Sequence, residues 1–180
     1  MTRYIAFLRA INVSGHGVIK MEELRKIFES QKFKNVQTYI QSGNVIFDTN
    51  EKNPDVVESK IQKALEKKFG YEIETMLRTV PELQAIIKTN PFKKINLDKN
   101  INLYVSVLSD KPGNDLQKSF ISSSDEIATF KMTDREVYTL YKRKNAKNPF
   151  SNSFVEKKLK VASTTRNWSV ISKIFEIAAE

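Results

Sequence analysis

The sequence predicts an α+β fold of two α/β-plait halves, and three observations carry that prediction. Apolar runs of strand length alternate with amphipathic segments of helical period. The first 80 residues read β-α-β-β-α-β, the ferredoxin-like or split βαβ order, and the strand pattern restarts after residue 100. The expected halves are residues 1–80 and 81–180, packed together, the second carrying the C-terminal helices.

Tyr4 to Leu8 is a short continuous apolar run, as a buried central strand makes, and a glycine-containing loop ends it. Met21, Leu24, Ile27 and Phe28 then recur at helical spacing, predicting an amphipathic helix over 20–32. Val36, Thr38 and Ile40 alternate with polar neighbours, and Val45-Ile46-Phe47 follows Gly43-Asn44, so a hairpin with a two-residue turn is expected there. The next helix is marked at both ends, by Asn53-Pro54 at its start and Gly70 at its stop, with Val57, Ile61, Ala64, Leu65 and Phe69 as its buried stripe. The alternation from Tyr71 to Arg78 predicts a fourth strand, with Arg78 on the polar side.

Thr79-Val80-Pro81-Glu82 is a capping box that starts a short connecting helix, ended by Asn90-Pro91-Phe92. A polar linker follows over 93–100, then a strand from Ile101 to Leu108, a short helix over 114–121 and a hairpin of 125–132 with 136–141. Ser153 to Glu156 is a second capping-box match, and Trp168, Ile171, Ile174, Phe175 and Ala178 form the stripe of a final helix. This half reads as a β-α-β-β-α variant of the first, with Thr164-Thr165-Arg166-Asn167 opening the last helix.

Composition narrows the classes of function. The chain has no cysteine, which removes disulfides, thiol nucleophiles and thiolate metal sites. No apolar run reaches the roughly 20 residues that span a bilayer, and the start lacks a signal-peptide pattern, so a cytoplasmic protein with no membrane partner is expected. The formal net charge is +9, and residues 131–173 hold 11 basic against 3 acidic side chains. Lys142, Arg143, Lys144 and Lys147 form the densest patch, which would attract nucleic acid or phosphorylated molecules; a solvated lysine-rich surface is the plainer alternative.

The strand leading into Arg9-Ala10-Ile11-Asn12-Val13-Ser14-Gly15, the helix with Met21 and Leu24-Arg25, Thr38 to Val45, Asn90-Pro91-Phe92 and Thr164 to Trp168 occur in one order. In these motifs the chain resembles the bacterial family catalogued as domain of unknown function 1697, over its whole length. It departs from the usual pattern at Ala10 and Ser14, where that family commonly has glycine. The resemblance implies two plait halves and no particular activity.

His16 is the only histidine, and its glycine-flanked position reads as an exposed loop residue. Phosphate-loop, nucleophile-elbow and zinc-protease patterns are missing, and no cofactor or metal is expected. Two segments are candidates for anion binding. Arg9 and Asn12 lie in a strand-end loop that can aim N–H groups and a guanidinium at an anion. Thr165, Arg166 and Asn167 offer hydroxyl, charge and free N–H groups at an expected helix start. The same residues serve equally well as turn and cap formers. Tyr4 and Phe47, and Tyr138 and Tyr141 beside the basic patch, are the aromatics that could stack bases, but no RNA-recognition octapeptide accompanies them and packing in the core is the plainer reading. Three functions stay open: a binding module for an anionic partner, an enzyme acting on a small anionic substrate, or a protein-interaction scaffold.

Overall fold

The computed structural model describes residues 1–12, 18–143 and 151–180 of the chain. The first plait runs β1 (Thr2–Leu8), α1 (Met21–Ser30), β2 (Lys34–Tyr39), β3 (Asn44–Thr49), α2 (Pro54–Phe69) and β4 (Thr75–Thr79), continuing into α3 (Val80–Lys88). The second runs β5 (Ile101–Leu108), α4 (Asn114–Ser122), β6 (Ala128–Met132), β7 (Glu136–Lys142), α5 (Asn152–Leu159) and β8 (Ser163–Asn167), continuing into α6 (Trp168–Ala179). The sheets are ordered β2-β3-β1-β4 and β6-β7-β5-β8, and every pairing is antiparallel. The chain groups into two compact units, Met1–Leu83 with Ile174–Glu180, and Gln84–Lys173, so the divisions fall inside α3 and inside α6.

Local chemistry sets many boundaries. Asn53 accepts the Asp55 N–H at 3.0 Å, Pro54 stands in the first turn of α2, and Gly70 closes that helix in the left-handed region. The Thr79 capping box also forms: the Thr79 N–H and hydroxyl donate to the Glu82 carboxylate at 2.7 and 2.8 Å. At α5 the cap is Ser151, which accepts the Phe154 N–H; Glu156 instead accepts the Ser163 N–H at 2.8 Å. The expected box at Ser153 is displaced because Ser151 already satisfies the first turn.

Three strand expectations change. Ser163–Asn167 is a strand paired with β5, so the second half is a complete βαββαβ plait and the last helix starts at Trp168. The fourth strand is shorter than its alternation suggests, starting at Thr75. The β2–β3 turn occupies residues 40–43, with Tyr39 paired to Asn44, because Asn44 has joined β3. Its side-chain amide donates to Tyr39 O and Ser42 Oγ, tying the turn from within the strand.

In the first unit Tyr4, Ala6, Leu8, Val45, Phe47 and Leu77 pack with Leu24 and Phe28 of α1 and Val57, Ile61 and Leu65 of α2. Phe47 is the aromatic hub, its ring centroid 4.5 Å from Phe33 and 5.3 Å from Phe28. The second unit repeats the plan with Leu108, Ala128, Phe130, Val137 and Tyr141 against Phe120, Val155 and Leu159. The opposite sheet faces are buried as well, at Ile5, Phe7 and Ile46 and at Val105, Val107 and Tyr138. Burial on both sides explains why Tyr4 to Leu8 is apolar without alternation. In α6, Ile171, Ile174 and Ala178 are buried, whereas Trp168 at its start is only partly so.

The two plaits share one register. Tyr4, Ile5, Ala6, Phe7 and Leu8 stand opposite Thr79, Arg78, Leu77, Met76 and Thr75. Tyr104, Val105, Ser106, Val107 and Leu108 stand opposite Asn167, Arg166, Thr165, Thr164 and Ser163 in the same way. Arg78 and Arg166 are therefore equivalent, and both are buried. Each donates through Nη1 to the carbonyl of its preceding residue, Arg78 to Leu77 at 2.8 Å and Arg166 to Thr165 at 3.0 Å. Phe7 also pairs with Asn44 as Val107 pairs with Glu136; these buried polar residues begin β3 and β7, and each ties its preceding turn.

A partly buried ionic cluster belongs to the first unit. Arg3 donates to Asp48 through Nε at 2.9 Å and Nη2 at 3.3 Å, Asn35 donates to Asp48 Oδ2 at 2.7 Å, and Arg3 Nη1 reaches Ala178 O. The Arg3 hydrogen bonds lead in holding the Asp48 carboxyl below its ordinary range, Asn35 helping and burial opposing. Because the folded pKa is depressed, this stabilisation is present above the unfolded value of about 4 and is lost as pH falls through the folded value. Asp48→Asn should cost about 1–3 kcal/mol at pH 7, and urea titrations from pH 6 to pH 3 should show a shallower acid loss than in the parent.

Candidate functional site

The end of β1 is anchored on both sides before it turns. The Leu8 N–H donates to Gly43 O at 2.9 Å and the Arg9 N–H to Glu74 O at 2.8 Å. Beyond them the backbone enters the left-handed region at Ala10 (φ 54°) and Asn12 (φ 56°), and again across the hairpin at Ile40 (φ 50°) and Gly43 (φ 78°). Three of these four residues are not glycine, and Ile40 is β-branched, for which a positive φ is a true outlier. Ala10 stands where the family resemblance gives glycine, and its positive φ is the physical reason glycine suits that position.

Asn12 locks this arrangement. Its Nδ2 donates to Ile19 O at 3.0 Å and to Gln41 O at 2.9 Å, while its Oδ1 accepts the Ile19 N–H at 2.6 Å. One amide thus joins both ends of the β1–α1 connection to the β2–β3 turn. Ile11 is buried beneath Gly43. A Cβ on Gly43 would lie 2.5 Å from Ile11 Cδ1 and 3.0 Å from Leu8 Cβ. Asn12 therefore ties Ile19, ahead of α1, to the β2–β3 turn, and Arg9 is half-buried at the end of β1.

The second plait has the same anchors without the elaboration. The Leu108 N–H donates to Arg135 O and the Ser109 N–H to Ala162 O, both at 2.9 Å. Yet only residues 109–113 link β5 to α4, against residues 9–20 between β1 and α1. Among the described residues, Lys160, the C-cap of α5, is the one left-handed residue in the second unit.

The C-terminal candidates belong to that second unit and hold different posts. Thr165 and Arg166 lie within β8, so the expected helix start with free N–H groups is replaced by a strand edge and its ladder. The Thr165 hydroxyl donates to Asn152 Oδ1 and hydrogen-bonds Ser106 Oγ, both at 2.7 Å. Arg166 Nη1 also reaches Thr164 Oγ1 at 2.7 Å, and burial lowers its pKa to about 10, which leaves it charged at neutral pH. Asn167 caps α6, accepting from the Ser169 N–H at 3.0 Å and hydroxyl at 2.8 Å. Lys142 and Arg143 are exposed at the end of β7. Lys144, Lys147 and His16 lie outside the described residues.

The aromatics weighed for base stacking are core residues, the plainer of their two readings. Tyr4 and Phe47 stack on each other at 6.0 Å inside the first unit. Tyr138 and Tyr141 are buried in the second, and the Tyr138 hydroxyl donates to Ile86 O at 2.9 Å. The alternation that predicted Arg78 on a polar side missed that this sheet face is covered too. Among the described residues there is no group of three or more metal-ligating side chains, and no helix is long and apolar enough to cross a membrane.

Comparison with known proteins gives a family and a fold. A family model described as a protein of unknown function, DUF1697, matches residues 1–138. The solved structure of the conserved bacterial protein SP0830 from Streptococcus pneumoniae superposes with a TM-score of 0.74, covering 98% of each chain at 20% identity. No curated protein matches.

Proposed function

The chain belongs to the DUF1697 family of proteins of unknown function, and from that premise we propose that it is a binding module for a small anionic molecule, such as a phosphorylated metabolite, read by the Arg9 loop. The observation that carries this is the gathering of Ala10, Asn12 and Ile40 in left-handed backbone at one end of the first sheet. Ala10 and Ile40 there each cost of the order of 1–3 kcal/mol, asparagine adopting this region more readily, and strain of this kind collects where a binding or catalytic geometry must be held. The second plait, with the same register and anchors, does without it. A small anion is favoured over single-stranded nucleic acid because the tyrosines that would stack bases are in the cores.

A thermal-shift titration at low salt over inorganic phosphate, nucleotides, sugar phosphates and oligonucleotides tests the proposal. A small anion should raise the melting temperature saturably, since a ligand selective for the folded state stabilises it. Arg9→Ala should fold and lose that response. An oligonucleotide ligand would instead give log K falling with log salt by about 0.7–0.9 per phosphate contact. No response to any small anion, or an unchanged response in Arg9→Ala, overturns the proposal.

A further inference from the structure

We propose that the seam between α1 and α2 in the first unit is a docking surface for an acidic amphipathic helix of a partner protein. The two helices run antiparallel along it. Glu23, in the first turn of α1, bridges to Lys68 in the last turn of α2 at 3.0 Å, and at the other end Lys60 Nζ donates to the backbone carbonyl of Gln31, the C-cap of α1, at 2.7 Å. Two adjoining clefts of about 450 and about 340 Å³ lie along the seam and share Ile27, Ser30 and Lys68. Ile27 from α1 and Ala64 from α2, both partly exposed, line it with apolar surface.

Charge on α2 is sorted by face. Val56, Lys60, Lys63 and Lys67 follow one another at helical spacing on the side that borders the seam, all exposed, whereas Asp55, Glu58 and Glu66 lie along another side. Helix α1 instead pairs its charges within itself, Lys26 with Glu22 at 2.8 Å and Arg25 with Glu29 at 3.6 Å. Among the described residues Lys63 and Lys67 form no ion pair. Standing four apart, they repel each other, so the isolated helix is weakened by a charge pattern that an acidic partner would relieve. Lys60 is held in place beforehand, its Nζ lying 5.3 Å from the centre of the Phe33 ring. The spacing selects a helix: Lys60 and Lys67 are about 10 Å apart along α2, the same rise that separates glutamates two turns apart on a partner helix. A phosphate backbone would meet the lysines and leave Ile27, Ala64 and Val56, the last 49% exposed, in water. A helix with an apolar stripe beside its acidic one covers both.

The full chain is titrated at low salt, by fluorescence anisotropy, with a labelled peptide of about 15 residues that carries glutamates at i, i+4 and i+7 beside a leucine stripe. Three further probes replace its glutamates by lysine, replace its leucines by serine, or are oligothymidylate. The acidic peptide should bind, the lysine peptide should not, and the serine peptide should bind at least about tenfold more weakly, the scale of a few buried methylenes. Lys60→Glu with Lys67→Glu should weaken the acidic peptide at least about tenfold and strengthen the lysine peptide, a gain that only a folded surface shows. The single exposed change Lys63→Gln should weaken the acidic peptide in part, and it keeps the test in force if the double variant unfolds. An unchanged ratio of acidic to lysine peptide affinity in a folded double variant, undiminished binding in Lys63→Gln, or equal binding of the leucine and serine peptides overturns the proposal. Oligothymidylate binding more tightly than the acidic peptide would assign the lysines to nucleic acid and also overturns it, as does an acidic peptide that fails to bind at low salt.

Discussion

Replacing Gly43 by alanine is expected to lower the unfolding free energy by about 2–4 kcal/mol, as overpacking and backbone strain add. The new methyl would sit 2.5 Å from Ile11 Cδ1 and 3.0 Å from Leu8 Cβ, at a φ of 78° that disfavours any side chain. Ile11 is buried beneath the turn and Leu8 is in the core, so neither can give way without disturbing the packing of β1. A urea titration gives the loss directly. The double variant with Ile11→Ala separates the two causes. Relief of the methyl clash should offset part of the cost of the truncated isoleucine, so the combined loss should fall short of the sum of the single losses. Additive losses would mean that the Ile11 contact contributes nothing and that the backbone conformation and the Leu8 contact carry the Gly43 effect.

Legibility in the sequence followed the range of the interactions. Helix α2 was readable at both ends because Asn53, Pro54 and Gly70 act on backbone a few residues away. The Thr79 box was readable for the same reason. Strand β8 was not, since Ser163 to Asn167 contains no apolar side chain and its extended form comes from pairing with β5. The burial of Arg78 is hidden for a related reason: alternation marks a polar side, but a sheet buried on both faces leaves no solvent for that side to meet. The shared register of the two plaits left little trace in residue identity. Tyr4 and Leu8 recur as Tyr104 and Leu108, yet Ile5 and Phe7 become Val105 and Val107, because a register needs only the backbone ladder and residues of suitable bulk. At the candidate site, the Arg9 loop and the Thr38 to Val45 hairpin were both recognisable as motifs. Their union was not, since the Asn12 bond to Gln41 links residues far apart in sequence.

That union makes Asn12→Ala the second large expected effect, again about 2–4 kcal/mol. The substitution removes three hydrogen bonds, leaves the Ile19 N–H and O without this partner although Ile19 is buried, and places a Cβ residue without polar compensation at φ 56°. Asn12→Gly distinguishes the causes. Glycine adopts this φ freely but also lacks the amide, so it should recover only about 1 kcal/mol relative to alanine. Asn12→Asp keeps the acceptor for the Ile19 N–H but turns a carboxylate oxygen toward the carbonyls of Ile19 and Gln41, so at neutral pH it should be no more stable than the glycine variant. Hydrogen exchange locates the effect: the Ile19 amide should lose protection in both alanine and glycine variants, while the Leu65 amide, in the second half of α2 with its side chain in the core, should exchange as in the parent once the change in global stability is allowed for. Full recovery in Asn12→Gly would show that the bonds to Ile19 and Gln41 contribute little and that conformation alone sets the residue at this position. Retained anion response in Asn12→Gly, with the loop ends released, would place ligand recognition on Arg9 without the Asn12 scaffold.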